Sequence, residues 1–197
     1  MGYAVEGWAD EPVAERIIAK AGHQPQRILT AGGKPRLDPK IPGYNRSARH
    51  RCWLVMRDLD HDDGGTCIAD LRRDLAGGKV SAGMALRFAV RTTESWLLAD
   101  VQGFSQFFHV SATRIPPNPE SLDNPKRALV DTCRRSRSPA IRAAVIPRQG
   151  SGRSVGPEYS ATIREFVELA WDLDRAALAC PSLARAVACV GRVGGRA

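Results

Sequence analysis

Four aspartates occupy positions 58, 60, 62 and 63, directly after the apolar run "CWLVMR" (52–57). Like charges this close repel one another, and packing does not offset that repulsion, whereas a bound cation does. The pattern stands out because the chain is basic overall, with 29 Lys and Arg against 21 Asp and Glu and a net charge of +8. Other acids fall at comparable places. Glu6 closes the apolar stretch "YAV", Asp10 and Glu11 open the segment after it, and Glu94 follows "MALRFAVR" in "TTESW". In an open parallel α/β sheet, ligands bind beyond the carboxyl ends of the strands. Residues i and i+2 of a strand point the same way, so Asp58 and Asp60 can face one cleft. Mg²⁺ takes oxygen ligands and keeps several waters, so about two to four carboxylates suffice for one or two ions. The chemistry these residues point to is therefore the binding of a divalent metal, Mg²⁺ or Mn²⁺.

Each of these residues also has a plainer reading. An Asp-x-Asp after a strand makes a polar turn that caps the next helix. Glu6 could serve as a strand-end ion-pair partner, although an acid closing a buried strand is costly without compensation. Asp62 and Asp63 read as solvated loop residues. Glu94, beside Thr92 and Thr93, also suits the positive end of a helix. Lys126 follows Pro125 at a helix start, where exposure is the common fate, and Trp96 reads as core. Of the four histidines only His61 falls inside the acidic cluster, and no HxxxH pair occurs.

The elements that must position these groups follow from the pattern. "YAVE" (3–6) predicts a strand leading into a helix with Asp10 at its N-cap, Pro12 in its first turn and Gly22 at C′. Val13, Ile17, Ile18 and Ala21 share one face of that helix. "RILT" (27–30) predicts a second strand. "AGGKPRLDPKIPGYNRSARH" (31–50), rich in Gly, Pro and basic residues, predicts a long exposed loop. "CWLVMR" predicts a buried central strand, followed by a helix from about Thr66 to Leu75 with Ile68, Leu71 and Leu75 on one side. "MALRFAVR" (84–91) predicts another strand and "TESWLLAD" the start of a helix. Alternating strands and helices predict a mostly parallel sheet flanked by helices. After the irregular "RIPPNPESLDNP", helical patterns run over 126–135, 159–172 and 182–190, and there is no internal repeat. The expected organisation is an α/β core over 1–100 and a helical C-terminal extension over 101–197 packed on the same domain.

Charge and composition narrow the function classes. From Lys126 to Arg153 there are eight basic residues and one acid, Asp131, whereas from Val5 to Leu75 there are eleven acids. A basic region alongside an acidic site suits a polyanionic substrate such as DNA or RNA, and the alternative is a solvated basic surface. In "RQGSGRSVG" (148–156), glycines flanked by Arg148 and Arg153 either cradle phosphate or form a linker, and both readings stay open. It is not a Walker loop, since no Gly-Lys-Ser/Thr opens the next helix. The five cysteines have no CxxC spacing, which argues against a disulfide framework or a zinc site. No apolar run approaches the roughly 18–20 residues that span a bilayer. "MGYAVEGWADE" lacks the basic and apolar regions of a secretory signal, and Gly2 is only a weak myristoylation match. A cytoplasmic location without membrane attachment is the expectation.

"VEGWADE" followed by "VMRDLDHD" resembles the two signature motifs of the Toprim fold, a glutamate-glycine after the first strand and an Asp-x-Asp after a later one. "RFAVRTTESWLLAD", "PKRALVD", "IPRQGSGRSVGPEY" and "PSLARAV" extend the resemblance, over nearly the whole chain, to a small bacterial Toprim-like family (domain of unknown function 4276). The Toprim nuclease domain of overcoming-lysogenisation-defect proteins is a relative of that family. The resemblance implies a Toprim-like, Rossmann-like α/β fold and metal-assisted phosphodiester hydrolysis. It implies Glu6 and Lys126 as catalytic residues and Glu6, Asp10 or Glu11, Asp58, Asp60 and Glu94 as metal ligands. Arg148 and Arg153 are the residues expected to bind nucleic acid. The resemblance further implies a phage-defence effector working with a separate ATPase, since the chain carries no ATPase motif. No tyrosine matches a topoisomerase nucleophile, and 197 residues leave no room for a breakage-reunion module. Two rival readings are a non-catalytic Toprim-like regulatory or interaction module and a phosphatase of the haloacid-dehalogenase type. The latter normally carries its Asp-x-Asp on the first strand.

Overall fold

A computed structural model of the chain describes residues 1–62 and 67–194. Asp63 and the expected helix start at Thr66 lie outside the described residues. The chain divides into two compact units, one of residues 1–90 with 184–197 and the other of residues 91–183.

The first unit is α/β. Strands β1 (Gly2–Val5), β2 (Gln26–Thr30), β3 (Trp53–Asp58) and β4 (Met84–Ala89) form one sheet in the order β2-β1-β3-β4, with every pairing parallel. β1 and β3 are the interior strands and are buried throughout, as near-continuous apolar runs should be when both faces of a parallel sheet are covered. Helix α1 (Glu11–Lys20) packs Val13, Ile17 and Ile18 against β1 and β3. It ends at Gly22, whose φ of 79° suits glycine, and His23 N–H donates to Ile18 O across the C-cap.

The segment 31–50 corrects the expected loop. It forms helix α2 (Lys34–Leu37), a 3₁₀ turn over Asp38–Lys40 and helix α3 (Ile41–Ser47). Pro35, Pro39 and Pro42 each stand in the first turn of one of these pieces, where a missing N–H costs nothing. Leu37, Ile41, Tyr44 and Ala48 follow helical spacing and pack with Trp53, Val55 and Leu86 in one core cluster. The prolines punctuate short helices here, and the apolar residues between them carry the helical signal. Helix α4 (Ile68–Leu75) lays Leu71 and Leu75 on the same cluster, whereas Ile68, expected on that face, is exposed.

The second unit is helical: α5 (Glu94–Ala99), α6 (Val101–Phe107), α7 (Pro125–Cys133), α8 (Pro139–Val145), α9 (Tyr159–Leu169) and α10 (Leu173–Ala179). Helix α11 (Pro181–Gly194) begins in this unit and belongs to the first from Ala184 onward. Helices α6, α8 and α10 were absent from the sequence reading. Each has seven residues, too few to display a clear period. Trp96, Phe104, Phe108, Phe166 and Trp171 form the unit's aromatic core, and Trp96 Nε1 donates to Ser182 Oγ at 2.7 Å. Asp100, with its side chain fully buried, accepts two bonds from Arg175 at 2.8 and 3.0 Å and others from the Gly103 and Asp172 backbones. The cysteines are all free, and burial pushes the Cys133 and Cys180 thiols up to about 12. No helix of the described residues is long and apolar enough to cross a membrane.

If 31–50 is core, Leu37→Ala lowers the unfolding free energy by about 2–5 kcal/mol in urea titrations. A change below about 0.5 kcal/mol, the usual cost at a surface position, would restore the loop reading.

Candidate functional site

Because β1 and β3 are parallel neighbours with Val5 opposite Met56, the residues that follow them emerge side by side. Glu6 leaves β1 at this rim, and its Oε2 accepts the Asp58 backbone N–H at 3.2 Å. Its carbonyl accepts Gly32 N–H at 2.8 Å and Gly33 N–H at 3.1 Å. Those two glycines have φ of 72° and 119°, a backbone that L side chains rarely adopt. The chain beyond β2 is thereby tied to the end of β1, and Lys34 is delivered to the same rim.

Asp10 holds the N-cap position of α1 but caps nothing through its side chain. Its Oδ2 accepts Gly7 N–H at 2.7 Å, which closes the turn directly after Glu6. Trp8 is 60 % exposed on that turn, with the Arg27 guanidinium 5.8 Å from its ring. Glu11, the alternative to Asp10, is buried and bound by Arg27 and Thr30.

The strand alternation expected to carry Asp58 and Asp60 to one face stops at Asp58. The chain turns through Leu59–Asp62, and Asp60 has a left-handed φ of 48°, which aspartate tolerates better than most residues. Lys34 organises this turn. Its Nζ donates to Asp60 Oδ2 at 2.6 Å, Asp62 Oδ2 at 2.8 Å and Leu59 O at 3.3 Å. Arg57, buried, binds Asp38 through Nε at 2.8 Å and Nη2 at 3.0 Å, and Asp62 through Nη1 at 2.7 Å.

The acidic run is thus partly neutralised from within. Lys34 and Arg57 bond Asp38, Asp60 and Asp62, and the Glu6 carboxylate lies beside them at the end of β3. Among the described residues, no three His, Cys, Asp or Glu side chains converge as a ready-made metal cage. The donors are nonetheless hard carboxylate oxygens, and Mg²⁺ is commonly held by one or two of them with water completing its shell. Glu6 with Asp58, and Asp60 on exchange with Lys34, suit that requirement.

Titration reflects the same environment. Burial raises the Glu6 carboxyl above its ordinary value of 4.5, with Asp60 adding to the effect, while the Asp58 N–H, Lys34 and Arg57 oppose it. Asp62 shifts the other way. Burial resists its ionisation, but the bonds from Lys34 and Arg57 prevail and hold it below 3.8.

The remaining predicted residues belong to the second unit. Glu94 opens α5, buried, and its Oε1 accepts Tyr159 OH at 2.8 Å and pairs with Lys126 Nζ at 3.3 Å. Thr93 precedes it without capping through its side chain. Lys126 also lines a cleft of about 490 Å³ with Arg127, Arg134 and Arg153, whose one acid is Asp131. Arg153 and Arg148 line another of about 430 Å³ beside the glycine-containing loop, where Gly150 and Gly152 take left-handed φ. Sequence reasoning overlooked Lys34, Arg57, Trp8 and Tyr159. Only Lys34 carried a usable signal, a lysine after two glycines at the carboxyl end of a strand.

No family model, no curated protein and no solved structure matches this chain.

Glu6 and Asp62 predict opposite pH dependences. Glu6 binds its proton more readily when folded, so its ionisation weakens the fold at neutral pH, a penalty relieved as pH falls toward 4.5. Asp62 contributes stability above 3.8 that is lost as pH falls through its lower folded value. Glu6→Gln should therefore melt higher than the parent at pH 7, and Asp62→Asn should lose part of the acid-induced fall below pH 4. A Glu6→Gln variant that melts lower at pH 7 would contradict the assignment.

Proposed function

We propose that the chain is a divalent-metal-dependent hydrolase of phosphodiesters, acting on nucleic acid through the rim of Glu6, Asp58 and Asp60. The observation that supports this reading is the bond from Asp58 N–H to Glu6 Oε2, which brings the Glu6 carboxylate to the end of the strand that carries Asp58. Glu6, Asp58 and Asp60 would hold Mg²⁺ or Mn²⁺, and such an ion, when bound, activates water and stabilises a leaving oxygen.

The chain's own residues have separable tasks. Glu6, made less acidic by burial and oriented by the Asp58 amide, is suited to take up and return a proton. Lys34 holds the Leu59–Asp62 turn and limits repulsion between Asp60 and Asp62. The exposed Trp8 ring offers a stacking surface for an unpaired base. Lys126, Arg148 and Arg153 supply charge for a phosphate backbone in the second unit, with Glu94 anchoring Lys126 there. The Toprim-like resemblance adds the proposal of a phage-defence effector paired with a separate ATPase.

A second reading is favoured by one observation. Lys34 already occupies Asp60 and Asp62, as it would in an interaction module that never needs a metal. Plasmid, single-stranded DNA and RNA incubated with Mg²⁺ or Mn²⁺ separate the two. Cleavage should fall by about 100-fold or more in both Glu6→Gln and Asp58→Asn. Cleavage that persists in both variants would place the activity elsewhere. Intact substrates with the parent protein, alone and with any ATPase that co-purifies with it, would leave the interaction module as the better account.

A further inference from the structure

A second cluster of charge lies on the first unit, and among the described residues it has no carboxylate partner. β4 is an edge strand of the sheet, and Arg87 lies near its carboxyl end. Arg87 Nε is sealed from solvent and has no hydrogen-bond partner, and Arg72 Nε on α4 is in the same state. Both side chains line a cleft of about 340 Å³ together with Ser81, Leu86, Cys189 and Arg192. Among the described residues, no carboxylate stands within ion-pair distance of Arg72, Arg87, Arg185 or Arg192. Burial, with repulsion from Arg72 and Arg185, pushes the Arg87 guanidinium below its ordinary range, while Cys189 works against the shift. The acidic rim differs in kind, since each of its two cations is bonded to carboxylates.

Arg72 rests over the Phe88 ring at 5.6 Å, but the sealed Nε groups of Arg72 and Arg87 stay unbonded, a cost that an anion in the cleft would offset. The planar fork of arginine matches the oxygens of phosphate better than any other common anion except carboxylate. The cleft is of a size that encloses small ligands, and Val80, Ala82, Leu86 and Val193 supply an apolar wall beside the arginines. We propose that this cleft binds a phosphate group carried on a small organic ligand of mononucleotide size, with Arg72, Arg87 and Arg192 on the phosphate and the apolar wall on the remainder. The site is distinct from the Glu6–Asp58 rim, and its occupancy does not depend on hydrolysis there.

The test uses the full chain in EDTA, so that no divalent ion bridges a ligand to the acidic rim. Inorganic phosphate, adenosine monophosphate and a short single-stranded oligonucleotide are titrated by calorimetry and thermal shift. Adenosine monophosphate should bind and raise the melting temperature of the parent protein, and phosphate alone should do so more weakly. Arg192→Gln, an exposed position, should weaken that binding by about tenfold or more. Arg87→Met should abolish it and, without ligand, melt higher than the parent, because an unpaired charge has been replaced by an apolar chain of similar length. Glu6→Gln should bind as the parent does, which separates this site from the proposed hydrolytic one. An oligonucleotide that binds more tightly than the monophosphate and loses affinity in the same two variants would assign the phosphate to a nucleic-acid backbone. Binding of every probe unchanged in both variants, or preference for an acidic peptide over all three, would overturn the proposal.

Discussion

Carboxylates at the end of a parallel sheet repel one another, and at this rim Lys34 and Arg57 are placed among Asp38, Asp60 and Asp62. Lys34 and Arg57 come from different parts of the chain, one after β2 and the other inside β3, and they converge on Asp62. Their bonds fix the turn that presents Asp60, and the Arg57–Asp38 pair ties the 3₁₀ turn to the central strand. A rim with every acid paired would have no electrostatic reason to attract a metal ion, and one with none paired would not hold its shape.

The second unit manages buried charge differently. Asp100 is satisfied on both oxygens by Arg175 and on its remaining lone pairs by two backbone amides, so it acts as a fully bonded joint between segments distant in sequence. Glu94 is likewise buried, but it is bonded by a phenol and by a lysine that also reaches a basic cleft. Asp100 serves packing alone, while Glu94 couples packing to a surface that carries positive charge.

Much of the α/β architecture was legible in the sequence because β1 and β3 are short uninterrupted apolar runs and α1 has a proline, a helical face and a terminal glycine in register. The stretch 31–50 reads as a loop because six of its twenty residues are proline or glycine, while the helical spacing of Leu37, Ile41 and Ala48 is divided among short pieces. At the site, acids at strand ends could be picked out from the topology that the pattern implied. Their neutralising partners could not, since ion pairs between residues 34 and 60 or 38 and 57 depend on how the intervening chain folds. The unpaired arginines of β4 and α4 were invisible for the same reason. Nothing in a linear sequence marks an arginine as lacking a partner.

On the proposed reading, the rim of Glu6 and Asp58 receives a divalent ion. Crystals grown with Mn²⁺ and measured for anomalous scattering test it most directly. A peak within bonding distance of the Glu6 and Asp58 carboxylates, absent from Asp58→Asn crystals, is the predicted result. Well-ordered crystals with no peak at the rim, and with Lys34 still bonded to Asp60 and Asp62, would contradict it.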